Sequence, residues 1–124
     1  MTVWKSPYCG CCTGWVKHMR ANGFKVEVRK QHDLTPVKKM ASIPDRLQSC
    51  HTATVGGYVI EGHVPAEDVK RLLSEHPPVH GLAVPEMPSG SPGMEDGGHD
   101  PFDVILMQRD GRTRVFNSYQ SRTE

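Results

Sequence analysis

The chain holds four cysteines, of which Cys9, Cys11 and Cys12 crowd one short segment while Cys50 stands alone. Cys9 and Cys12 have the C-x-x-C spacing of a redox couple, and at a strand-to-helix junction the helix N-terminus would favour their thiolates. Cys11 places a further sulfur between them, and three thiols within one turn suit metal chelation better than a single exchange pair. Soft thiolates select Cu(I), zinc or iron–sulfur clusters. Zinc asks for well-separated tetrahedral ligands with sulfur at about 2.3 Å, which adjacent Cys11 and Cys12 supply poorly. Iron–sulfur clusters usually space their cysteines more widely. Cu(I) accepts two or three thiolates and lets each sulfur bridge ions, so adjacent cysteines are useful to it. The residues favour copper, with a polynuclear cluster as an option. Disulfides or buried thiols are the structural alternative, weakened because adjacent Cys11 and Cys12 are poorly placed for two unstrained bridges.

These sulfurs need elements to position them. Residues 2–5 read as a strand, broken by Ser6-Pro7-Tyr8 just before the cysteines. From 12 to 21 the apolar residues Trp15, Val16 and Met19 keep helical spacing, and Asn22-Gly23 ends the run. Phe24, Val26 and Val28 alternate with charged residues, which predicts a strand with one buried face. Asp33 and Pro36 predict a short helix with Val37, Met40 and Ala41 inward. Residues 42–49 read as a connection, then 52–55, Gly56-Gly57 and 58–60 form a hairpin with Cys50 at its entrance. Pro65, Glu67 and Asp68 open a helix carrying Val69, Leu72 and Leu73 on one face, ending near His76-Pro77-Pro78. Strand, helix, strand, helix, hairpin, helix is the order of a thioredoxin or glutaredoxin core. It brings Cys50 beside the cysteine loop, with His51 where those folds keep a cis-proline.

The expected fold class is therefore α/β: one thioredoxin-like domain over residues 1–124, with a core at 1–80, a Gly/Pro-rich loop at 81–101 and a terminal hairpin at 102–119 whose turn is Asp110-Gly111. Met87 and Met94 sit in that loop, where a thioether could close over a soft metal, with Met94 the nearer; ordinary packing is the bland alternative. His51 and His63 join the candidate ligands, whereas His18, His32, His76 and His80 are expected to face solvent. Trp4 and Trp15 are expected in the core or at its rim. Lysine and arginine total 15 against 14 acids, which removes the charge excess that nucleic acid or an anionic membrane would demand. No apolar run approaches the roughly 20 residues of a membrane span.

Several segments together resemble the CopG-type copper-resistance proteins, long described as a domain of unknown function. They are Lys5-Ser6-Pro7, Cys9-Gly10-Cys11-Cys12, Asn22-Gly23-Phe24, Ser49-Cys50-His51-Thr52-Ala53, the run from Gly57 through Glu61-Gly62-His63 to Asp68, Gly81-Leu82-Ala83-Val84-Pro85, and Gly90-Ser91-Pro92-Gly93-Met94-Glu95. The resemblance implies a thioredoxin-like fold, a periplasmic location with a leader removed ahead of Met1, and copper on Cys9, Cys11, Cys12 and Cys50, the His63 and Met94 motifs being intact. The expected function is a copper-binding resistance protein that holds Cu(I), with Cu(I)/Cu(II) redox handling, and hence copper oxidoreductase activity, open to it. Expected partners are copper ions and other periplasmic copper-handling proteins. The competing reading is a thiol–disulfide oxidoreductase using the Cys9 and Cys12 pair.

Overall fold

The computed structural model describes residues 1–85 and 101–119. β1 (Thr2–Lys5) leads through Ser6-Pro7-Tyr8 into α1 (Gly10–Ala21), which buries Cys12, Trp15, Val16 and Met19. That i, i+3, i+4, i+7 stripe faces the core, as helical periodicity requires. The helix starts two residues before the expected 12–21 because Cys9 caps it, its Sγ accepting the Cys12 N–H at 3.3 Å. β2 (Glu27–Lys30) pairs parallel to β1 at the sheet edge, and only its Val28 is even half-buried.

α2 (Thr35–Met40) departs from expectation: Met40 is 88% exposed, and Lys38 points inward instead. The two positions lie about 200° apart around the helix. A buried acid, Glu61, claims Lys38 as its counter-charge, and that rotation turns Met40 to solvent. A 3-10 turn (Asp45–Leu47) then leads to the hairpin of β3 (His51–Val55) and β4 (Tyr58–Gly62). Gly56 and Gly57 turn it with φ of 57° and 86°, the left-handed pair that a two-residue hairpin loop needs. α3 (Ala66–Glu75) follows, with Pro65 at its N-cap and His76 ending it in the left-handed region.

The expectation of a loop beginning at Gly81 is corrected. Residues Gly81–Val84 form β5, buried throughout and parallel to β4. The glycine there serves a close approach: a Cβ added to Gly81 would collide with the Val59 carbonyl. Gly81→Ala is therefore expected to destabilise the protein by about 3 kcal/mol, the upper range for overpacking, seen as a lower urea midpoint at unchanged slope. β6 (Phe102–Met107) and β7 (Thr113–Tyr119) complete an antiparallel extension that turns through Gly111.

The sheet has seven strands in the order β2-β1-β3-β4-β5-β6-β7, with three α-helices among the described residues. On one face α1 and α3 cover Val3, Ala53, Ile60, Leu82 and Val84; on the other, Ile43 and Leu47 cover Val59, Ala83 and Met107. The extension is tied to α3 by Asn117 and Tyr119, both donating to the buried Asp68 carboxylate. One pairing positions the cysteines. β3 runs antiparallel to β1 with His51 opposite Lys5, so the residue entering β3, Cys50, meets the loop leaving β1. No described helix is long and apolar enough to cross a membrane.

Candidate metal centre

The four cysteine sulfurs gather at the N-terminus of α1, all within 4.8 Å of one another. Cys9, Cys11 and Cys12 come from the cap and first turn of the helix, and Cys50 arrives from the entrance of β3. Cys9 and Cys12 are joined by a disulfide, while Cys11 and Cys50 are thiols. Cys11 Sγ lies 3.3 Å from Cys9 Sγ and 3.9 Å from Cys50 Sγ. The bridge follows the C-x-x-C spacing and leaves the adjacent Cys11 outside it, so one disulfide of the structural alternative is present.

Cys50 also belongs to a second set of donors, Cys50, His51 and His63, again within 4.8 Å. His63 Nε2 is 2.9 Å from Cys50 Sγ, and His51 Nδ1 is 3.2 Å from it. Both imidazoles are buried, and the Trp15 ring stands 4.4 Å from that of His51. Trp15 is itself fixed, its indole N–H donating to the Val64 carbonyl at 2.9 Å. The Cys50 sulfur therefore sits against two buried imidazoles, one of them backed by the Trp15 indole.

Burial, reinforced by the neighbouring Cys11 sulfur, pushes the Cys50 thiol up to about 12. Burial also takes His51 down to about 3, helped by its electrostatic interactions with His63, Lys38 and Lys5. His51 is therefore a neutral imidazole at physiological pH. Its Nε2 is the one buried side-chain nitrogen or oxygen among the described residues that has no hydrogen-bond partner. An orphaned buried polar atom is costly and commonly marks a place where an ion or ligand completes the bonding. Thiols, imidazoles and an orphaned ring nitrogen make a donor set that fits a soft cation. Only Cys11 and Cys50 can serve as thiolates while the disulfide stands; reduction by two electrons and two protons frees all four sulfurs.

Of the residues singled out in the sequence, Cys9, Cys11, Cys12, Cys50, His51 and His63 are brought together. Met87 and Met94, and the cover they were expected to form, lie outside the described residues. His32 and His76 are exposed as expected. His18 and His80 are half-buried instead, for each bonds backbone: His18 Nε2 accepts the Ala66 N–H, and His80 Nε2 meets the Ala41 carbonyl. The sequence reading missed Glu61, Lys38 and Thr52, which form a buried polar group directly behind Cys50.

Residues 47–94 match a family model described as a protein of unknown function, DUF411. No curated protein sequence matches the chain. Two solved structures resemble it over almost its whole length. One, described as copper resistance protein copG, form 1, is 42% identical, with 97% of this chain and 96% of that one covered and a TM-score of 0.91. Form 2 of the same protein is 43% identical, with 95% of each chain covered and a TM-score of 0.90.

Proposed function

Since the chain belongs to the family of the copper resistance protein CopG, we propose that it holds Cu(I) on Cys9, Cys11, Cys12 and Cys50 as a sulfur-bridged cluster of more than one ion. The observation that carries this reading is the convergence of four sulfurs from two distant segments within 4.8 Å. Sulfurs so close can each bridge two ions, whereas a single Cu(I) taking two or three thiolates would leave at least one of them idle. His51 and His63 are the additional nitrogen donors in this reading, and Met94 is a thioether donor from the segment after β5. The same reading takes β1 through α3 as a thioredoxin-like core, supported by the strand order β2-β1-β3-β4 with α1 and α3 on one face. It treats residues 1–124 as one domain working in the periplasm.

The disulfide gives the site a second oxidation level. Two thiols, oxidised to one disulfide with release of two protons, supply the two electrons that turn two Cu(II) into two Cu(I). Storage and redox handling are thus compatible in one set of residues. The test is an anaerobic titration of the fully reduced protein with Cu(I), read by native mass spectrometry. More than one Cu(I) per chain is expected, and a strict one-to-one complex would refute the cluster. In the same titration Met94→Leu, which keeps most of the volume but removes the sulfur, is expected to weaken the uptake by about tenfold. Unchanged affinity would remove Met94 from the ligand set.

A second reading, thiol–disulfide exchange through Cys9 and Cys12, is favoured by the bond between them at a helix N-terminus. It predicts repeated turnover of a protein disulfide when the chain is supplied with a reductant. No turnover above the uncatalysed rate, alongside tight Cu(I) uptake, would decide for the metal reading.

A further inference from the structure

Behind Cys50, on the α2 face of the sheet, one carboxylate gathers bonds from two elements and the connection between them. Glu61 on β4 is fully buried. Its Oε2 accepts from Lys38 Nζ on α2 and from the Ser49 backbone N–H at 2.8 Å, and its Oε1 accepts from Thr52 Oγ1 on β3. Lys38 Nζ also reaches Thr52 Oγ1 at 3.1 Å. Thr52 and Glu61 are direct cross-strand partners, so two corners of this group are set by the hairpin register.

Ser49 immediately precedes Cys50 and lies outside the β3 ladder, so its N–H takes a side-chain acceptor. Its side chain is constrained from the other side as well. Gly62 has φ of 76°, and a Cβ built there would lie 2.7 Å from Ser49 Cβ, so the absent side chain is what lets Ser49 seat against β4. A buried ion pair is seldom more stabilising than well-packed apolar residues of the same size, and its best-attested use is to specify one arrangement. Here the bond that leaves the Lys38–Glu61–Thr52 group goes to the backbone that carries Cys50.

We propose that Glu61 is the positioning residue for Cys50: its carboxylate, braced by Lys38 and Thr52, holds the Ser49 backbone and thereby sets where the Cys50 sulfur meets the cysteine loop and His63. The importance of that placement rests on the metal reading, but the placement itself is tested without copper. Alkylation of metal-free protein by iodoacetamide, with the Cys9–Cys12 disulfide intact, reports Cys50 and Cys11 separately after peptide mapping. In Lys38→Met/Glu61→Leu the ion pair becomes apolar and the Ser49 N–H loses its acceptor. Cys50 is expected to react about 10-fold faster there, the effect of losing one charge-assisted hydrogen bond. Cys11 should stay within about twofold, because its position is set by the first turn of α1 rather than by the Ser49 backbone. In Lys38→Met/Glu61→Gln an amide oxygen still accepts from Ser49, and Cys50 should keep its parental rate.

A merely structural role would speed both thiols together, and that outcome overturns the proposal. So does an unchanged Cys50 rate in the folded apolar variant. Should that variant fail to fold, amide exchange in the parent protein decides. Ser49 N–H protected as well as the β3 ladder amides supports the anchor, and fast exchange at Ser49 defeats it. Failure of the metal reading would instead appear as absent Cu(I) uptake with these rates unaffected.

Discussion

Cys50→Ser is expected to lower the affinity for Cu(I) about 1,000-fold, or roughly 4 kcal/mol, while leaving the fold intact. Serine keeps the size of the side chain and can still hydrogen-bond the imidazoles, so packing changes little. What disappears is the sulfur common to both donor sets, the one that joins the α1 cysteines to His51 and His63. A hydroxyl is a hard, weakly acidic donor that Cu(I) does not favour. The effect should exceed that of replacing His63, because removing an imidazole leaves the four sulfurs complete. Competition against a Cu(I) chelator under anaerobic conditions measures it, with circular dichroism confirming the fold. A variant within about threefold of the parent would show that the Cys9–Cys12 segment suffices alone, and would end the four-sulfur site.

Oxidation should matter as much as mutation. Protein with the Cys9–Cys12 disulfide closed is expected to bind Cu(I) about 1,000-fold more weakly than the reduced form, and at no more than about one ion per chain. Closing the bond withdraws two sulfurs and leaves Cys11 and Cys50 3.9 Å apart. Cys50 must then give up a proton that burial and the Cys11 sulfur hold up to about 12, with fewer neighbours to share the incoming charge. Linkage makes the effect reciprocal: Cu(I) that prefers the reduced form must stabilise it against oxidation by the same factor. Thiol trapping of loaded and metal-free protein across a series of redox buffers measures that shift. Coincident midpoints would show that the disulfide and the metal do not compete.

Much of the site was legible in the sequence because its signal was local. Three cysteines in one turn cannot be scattered by any fold, and the strand, loop, helix pattern around them fixed their setting. Cys50 was harder, since its approach depends on β3 running antiparallel to β1 with His51 opposite Lys5. The order of elements carried that information once the hairpin around Gly56-Gly57 was recognised. Where the reading went astray, tertiary partners overrode local pattern. Met40 satisfied the helical period but yielded its inward position to Lys38, whose partner Glu61 lies far along the chain. The clue was present in Tyr58-Val59-Ile60-Glu61, where an acid follows an apolar run in a strand and must find a counter-charge if buried. Gly81 misled for a related reason: a glycine that permits backbone contact with Val59 looks, in sequence, like one that opens a loop. The choice between a disulfide and four thiols was not legible, because it depends on redox conditions as well as on spacing.

A cluster of more than one copper ion on the four sulfurs would leave its own spectroscopic signature. X-ray absorption of the reduced protein, loaded anaerobically with Cu(I) to saturation, tests it most directly. The expected spectrum has an edge characteristic of Cu(I), a first shell dominated by sulfur, and a copper–copper scattering shell that disappears in Cys50→Ser. A nitrogen- or oxygen-dominated first shell, or a sulfur shell with no copper–copper contribution at saturation, would contradict it.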